Sequence, residues 1–236
     1  MRSLAWPVLG LLLWSDPALA YRPFDSTDAD VAEKGTWEIE LQPLGWRHNE
    51  EGMQWISPAL ILNYGFADNW EAVLEGRNAV FDRNRDTFSD AAFSIKSVLR
   101  EGSLQDKPGP SIGSEYSILL PGIHADDGAG VGLTALVSDK HEWGAWHLNL
   151  GPMLARNGKG GWVAGGILEG PADWTVRPVG EIRYEKVFGD EEILAFLVGI
   201  ILPIKGGLAL DLAFRHAREG GRPDEQIRAG VTFDLQ

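Results

Sequence analysis

The sequence predicts an all-β protein: a transmembrane antiparallel β-barrel, with twelve strands as the count that fits. Three observations carry this. The chain opens with an export-type leader. Segment after segment then alternates apolar and polar residues. The last segment, Ala229 to Leu235, keeps that alternation to the end of the chain. Segments of about ten alternating residues separated by turn residues are the pattern of a membrane barrel.

Arg2 supplies a short positive start, Leu4 to Trp14 is almost continuously apolar, and Ala18-Leu19-Ala20 has the small-x-small form of a peptidase site. The apolar run is shorter than the roughly 20 residues a spanning helix needs. Residues 1–20 are therefore expected to be a cleaved signal peptide. Tyr21 to Lys34 is polar, acidic and without apolar periodicity, and is expected to be an exposed N-terminal segment ahead of a single barrel domain over 35–236. With no cysteine, the chain has neither a disulfide framework nor an attachment point for a lipid anchor. A net charge of -13 disfavours a binder of nucleic acid, which needs a basic stripe. Ten Trp fit membrane interfaces, and 29 Gly fit crowded strands and tight turns.

In the first strand (36–44), Trp37, Ile39 and Leu41 oppose Glu38, Glu40 and Gln42, and His48 to Gly52 reads as a turn. The second (54–66) sets Leu60, Leu62, Tyr64 and Phe66 against Asn63 and Gly65. Asp68-Asn69 turns into the third (69–80), where Trp70, Ala72 and Leu74 oppose Glu71, Glu75 and Arg77. A polar loop through Asp82 and Asp86 leads to the fourth (88–100), with Phe93 and Ile95 facing away from Lys96 and Arg100. The fifth to seventh strands (111–121, 129–138, 142–154) carry Tyr116 and Ile118, Val131 and Leu133, and Trp146 and Leu148 on their apolar faces. Asn157 to Gly161 is a turn. The eighth (162–170) has ambiguous facing. The ninth (174–187) alternates Arg177, Glu181, Arg183 and Glu185 with apolar or small residues. The tenth (192–203) is apolar on both faces and defeats the rule. The eleventh (207–217) opposes Leu210 and Leu212 to Asp211 and Arg215, and the twelfth (226–235) closes the set with Arg228, Thr232 and Asp234 inside.

Alternation alone also fits a water-soluble sandwich. The difference lies in size: bulky Trp, Leu, Phe and Tyr fill one face, while the other mixes charges with Gly and Ala, as a lumen tolerates. In hydrocarbon such a sheet must close, because unpaired edge amides cost several kcal/mol each. Tyr21-Arg22-Pro23-Phe24, Asp28-Ala29, Glu33-Lys34-Gly35 and Glu38-Ile39-Glu40, with Pro58-Ala59-Leu60, Asn63-Tyr64-Gly65 and Asp68-Asn69-Trp70-Glu71, resemble the outer-membrane barrel family named for the MetA pathway of phenol degradation. The resemblance implies an outer-membrane channel or transporter for small, aromatic or apolar solutes. The chain departs from the usual barrel ending, since Phe233 is followed by Asp234-Leu235-Gln236 and no terminal aromatic. The partners expected are outer-membrane lipid, the barrel insertion machinery and small solutes.

The expected lumen-lining set is Glu71, Glu75, Arg77, Lys96, Arg100 and Glu115 on one wall, and Arg177, Glu181, Arg183, Asp211 and Arg215 on another, with His147 and Asn149 between. Opposite charges on neighbouring strands form ladders that filter ionic solutes, or simply fill a narrow interior. His147 and Asn149 also raise a lipid hydrolase, which needs a nucleophile within about 3 Å of the imidazole. No Ser lies beside them in their own strand, and Ser138, Ser117 or Thr134 would have to come from a neighbour. The chain is expected not to be an enzyme, and a non-conducting structural barrel is the main alternative. Asp25, Asp28 and Asp30 lack the spacing of a calcium loop, and Gly158 to Gly161 lacks the Lys-Ser/Thr ending of a phosphate loop. No metal or cofactor is expected.

Overall fold

The computed structural model describes residues 22–50, 52–81, 86–122, 128–190, 192–204 and 206–235. The expected signal peptide, the Asp82 loop and the Asp126-Asp127 turn lie outside them.

Twelve strands follow one another: β1 (Trp37–Asn49), β2 (Gly52–Ala67), β3 (Trp70–Phe81), β4 (Asp86–Arg100), β5 (Ser111–Leu119), β6 (Gly130–His141), β7 (Gly144–Leu154), β8 (Gly160–Glu169), β9 (Arg177–Val187), β10 (Glu192–Ile204), β11 (Leu208–Glu219) and β12 (Arg222–Leu235). Each pairs with its sequence neighbours, and β1 pairs antiparallel with β12, from Trp37 opposite Leu235 to His48 opposite Glu225. The sheet therefore has no free edge, as hydrocarbon demands. Each expected strand is present, and the differences are at the ends. The turn expected over His48 to Gly52 shortens, because β1 runs to Asn49 and β2 begins at Gly52. The loop expected over 217–225 is mostly strand. Gly220 and Gly221 both hold positive φ (57° and 86°), which lets two residues reverse the chain.

The alternation sorts as a barrel requires. Leu148, Leu150, Val198, Leu212 and Ile227 stand exposed on the outer wall, while Glu40, Glu71, Lys96, His147 and Thr232 are buried inside. Outward aromatics gather towards the two ends of the wall. Trp37 stacks on Tyr64 with ring centroids 4.6 Å apart, where β12 ends, and Trp162 packs on Tyr184 at 5.0 Å at the other end. Such aromatic girdles flank an apolar band about 25 Å tall in outer-membrane barrels. The outer wall is thus a lipid-facing surface.

The doubly apolar β10 has a physical reason. Its outward Phe196 and Val198 face lipid, whereas its inward Ile201 joins Val179 and Ala209 in a small core packed against Phe24 of the N-terminal segment. The inner face of β10 is apolar because a piece of protein sits on it, where the rest of the wall meets polar groups.

A charge in the outer band tests this orientation. Val198, near the middle of β10 and 63 % exposed, is expected to cost about 2–4 kcal/mol when replaced by Arg. Urea unfolding in lipid vesicles reads that loss.

Candidate functional site

Residues 22–34 are not the exposed segment the sequence predicts. They lie inside the barrel, with Arg22, Pro23, Asp28 and Ala29 buried and only Glu33 and Lys34 exposed. A polar, aperiodic stretch reads the same whether its partners are water or the polar wall of a lumen. Here they are the wall.

Backbone groups of the segment bond to side chains of the strands. Glu181 accepts from the N–H groups of Asp25 and Ser26 at 2.8 Å each, Ser138 Oγ from Ala29 N–H at 2.9 Å, and Glu71 from Ala32 N–H at 2.5 Å. Asn149 accepts from Thr27 N–H at 3.0 Å and donates to the carbonyl of the same residue at 2.7 Å. Side chains add ion pairs: Arg22 to Asp211 (3.4 Å), Lys96 to Asp28 (3.2 Å), and Asp25 to Arg215 (2.5 Å) and Arg228 (2.7 Å). From below, Gln105 in the β4–β5 connection donates to Ala29 O and Asp30 Oδ1. Glycines in the wall make room. At Gly65 a Cβ would strike the carbonyl oxygens of Ala32 and Glu33, and at Gly230 it would strike the Arg22 guanidinium.

Burial opposes ionisation of Asp25, but the guanidiniums of Arg228, Arg215 and Arg183 outweigh it and hold the carboxyl well below the usual carboxylate range. Asp30 goes the other way: burial, then the charge of Asp28, pushes it up to about 6.

The segment divides the lumen. On the side away from Leu235, the end of β12, lies a cup of about 580 Å³, floored by Arg22 and Phe24 to Thr27 and walled by residues such as Glu75, Arg77, Glu115, Arg183 and Arg215. On the other side, where β12 ends, a small pocket of about 30 Å³ lies against His147, Glu169 and Arg177.

The expected lining residues therefore fall into three groups. Glu75, Arg77, Glu115 and Arg183 line the cup, and Arg77 pairs with Asp90 and Arg183 with Glu185. Glu71, Lys96, Asn149, Glu181, Asp211 and Arg215 hold the segment, most of them also bordering the cup. The β3–β4–β5 register puts Glu71, Lys96 and Glu115 side by side. His147 and Arg177 lie beneath the segment. Arg100 is a correction: the register shifts between Val98 and Arg100, and the residue stands exposed beside Gly109, outside the cup.

His147 does meet a serine. Its Nδ1 is 2.9 Å from Ser138 Oγ on β6, and its Nε2 is 3.0 Å from Glu169, which pairs with Arg177 at 3.2 Å. With the imidazole proton assigned to Nε2, that nitrogen donates to Glu169, Ser138 donates to Nδ1, and Ser138 Oγ accepts from Ala29 N–H. Ser138 is fully buried beneath Ala29 and borders neither cavity, so this relay is a clamp on the segment.

Sequence reasoning missed Glu169, Asp224 and Gln226 as inward groups, together with the whole segment from Arg22. The signals present were the inward apolar face of β10 and the glycines at 65 and 230.

No protein-family model and no curated protein matches the chain. Solved structures do. The NanC porin aligns with a TM-score of 0.62 at 11% identity, over 84% of this chain and 100% of that one. An outer membrane channel from Pseudomonas putida F1 gives 0.62 at 11% over 90% and 100%, and the KdgM porin 0.59 at 12% over 84% and 99%. The fold is that of an outer-membrane barrel. At these identities the likeness concerns the fold alone.

Two outcomes are expected for the segment in this barrel. Asp25→Asn leaves Arg215 and Arg228 short of a buried partner, which typically costs about 3–5 kcal/mol. Hydrogen exchange of residues 22–29 should then accelerate sharply while the strands stay protected. Asp30, with its native value raised above 3.8 to about 6, binds more protons docked than free. Its contribution is therefore most favourable at low pH and is lost as pH rises through about 6. Protection of residues 28–32 should weaken between pH 5 and 7 as far as Asp30 governs it, and Asp30→Asn should flatten that part of the profile.

Proposed function

We propose that the protein is an outer-membrane channel for small solutes, in which the cup receives the solute and the N-terminal segment closes the way on. The observation that carries this is the pairing of an open, polar-walled space of about 580 Å³ with a floor made of irregular chain. A floor held by side-chain hydrogen bonds and ion pairs, outside the strand ladder, can leave without opening the barrel. Aromatic or otherwise apolar solutes are supported by Phe24, Ile61, Val73, Leu119 and Met153 in the cup wall and by the resemblance to the phenol-degradation family. The KdgM porin has been captured in complex with disordered oligogalacturonate, which supports solute entry into barrels of this fold.

Planar bilayers test the reading. The full chain is expected to show low conductance, and removal of residues 22–34 to raise it by about tenfold or more, since conductance follows the open cross-section. Gly65→Leu, which puts a side chain where Ala32 and Glu33 now pass, should act in the same direction. If neither change produces ion conductance or solute flux into liposomes, the barrel is a structural one and the channel reading fails.

A further inference from the structure

The cup is electrically lopsided. On the wall of β9, β11, β12 and β1, Arg183 is matched by Glu185, Arg215 and Arg228 share Asp25, and Arg47 pairs with Asp224. On the wall of β1, β3 and β5 the cup is bordered by Glu40, Glu71, Glu75 and Glu115. Lys96 stands among them but bonds to Asp28 and Thr27 of the segment. Arg22 is committed to Asp211 and Gln42. Further toward the mouth, Arg156 sits on the carbonyls of Leu120 and Ala91, and Arg77 on Asp90.

Two buried carboxylates on this wall have an unpartnered oxygen. Glu40 and Glu71 are each 0 % exposed, and Oε2 of the first and Oε1 of the second accept no hydrogen bond from the described residues. In front of them Glu75, half-buried, has no hydrogen-bond or ion-pair partner among the described residues, and Glu115 accepts among them from Ser117, at 3.4 Å. Carboxylates gathered out of bulk water with fewer donors than acceptor oxygens are relieved by taking up a proton or by receiving a cation. Among the described residues no three His, Cys, Asp or Glu side chains converge closely enough to chelate a metal. The space in front is broad, and the same wall carries Ile61, Val73 and Leu119. A cup of this size, with apolar walls and a few directed polar groups, is of the kind that takes small organic ligands.

We propose that this wall binds small organic cations: a protonated amine on an apolar body, its ammonium against Glu75 and Glu115 and its hydrocarbon against Ile61, Val73 and Leu119. This names the solute class of the cup and rests on the reading of the cup as a solute site. An ammonium brings three donors, enough to engage several separated carboxylates at once. An anion of the same shape is disfavoured by the same carboxylates.

Calorimetric titration of the full chain in nonionic micelles tests this with 2-phenylethylammonium, 2-phenylethanol and phenylacetate, which share a ring and differ in charge. The ammonium should bind at least about tenfold tighter than either of the others, and the Glu75→Gln/Glu115→Gln variant should lose about tenfold of that affinity. Should the double variant not fold, judged by heat-modifiable migration in gels, the single Glu75→Gln variant gives the same reading. Equal binding of the alcohol, displacement of the ammonium by equimolar potassium, or unchanged affinity in the folded variant overturns the proposal. Micelle binding needs no conductance. Amine binding by a barrel that never conducts would remove the channel alone, and conductance without amine binding would remove this proposal alone.

Discussion

Backbone N–H groups of irregular chain enclosed in a barrel must find acceptors, and the arrangement of this lumen follows from that requirement. Glu181, Asn149, Ser138 and Glu71 meet it, on β9, β7, β6 and β3 in turn. They reach inward from widely separated strands, so the segment crosses the barrel and ties its walls together. The acceptor roles also explain why these side chains can stay buried. A carboxylate that takes two N–H groups, as Glu181 does, has an interior partner in place of water.

The floor so formed gives the two ends of the lumen different characters. Towards the end of β12 the space is small, and the relay from Arg177 through Glu169 and His147 to Ser138 has the appearance of a catalytic set while bearing on a peptide N–H. Away from it the space is open, and there the charges face a cavity. The same strand contributes to both: on β3, Glu71 holds the segment and Glu75 borders the cup.

Strand content was legible because alternation in a barrel wall is enforced by lipid on one side and polar groups on the other. Trp70, Ala72 and Leu74 against Glu71 and Glu75 admit one orientation. Facing was misread where something local displaced the rule: a register shift turned Arg100 outward, and the Gly220-Gly221 turn let β11 and β12 run on through an apparent loop. The inner segment was not legible. Residues 22–32 carry no periodicity, and their partners lie up to about 190 positions away, as Arg215 is from Asp25. Only the surplus apolar face of β10 and the bare wall at Gly65 and Gly230 pointed to an occupant, and each has an ordinary explanation when seen alone.

Arg22 and Asp25 take their ionic partners from β11 and β12, the final two strands. The first described residues are therefore secured by the last two strands. A polypeptide lacking those strands would present the segment with neither Asp211 nor Arg215 nor Arg228, and Arg22 and Asp25 would lose these ion pairs. The seating of Arg22 and Asp25 thus depends on the last hairpin, whereas Thr27 to Ala32 are held by strands from the middle of the chain.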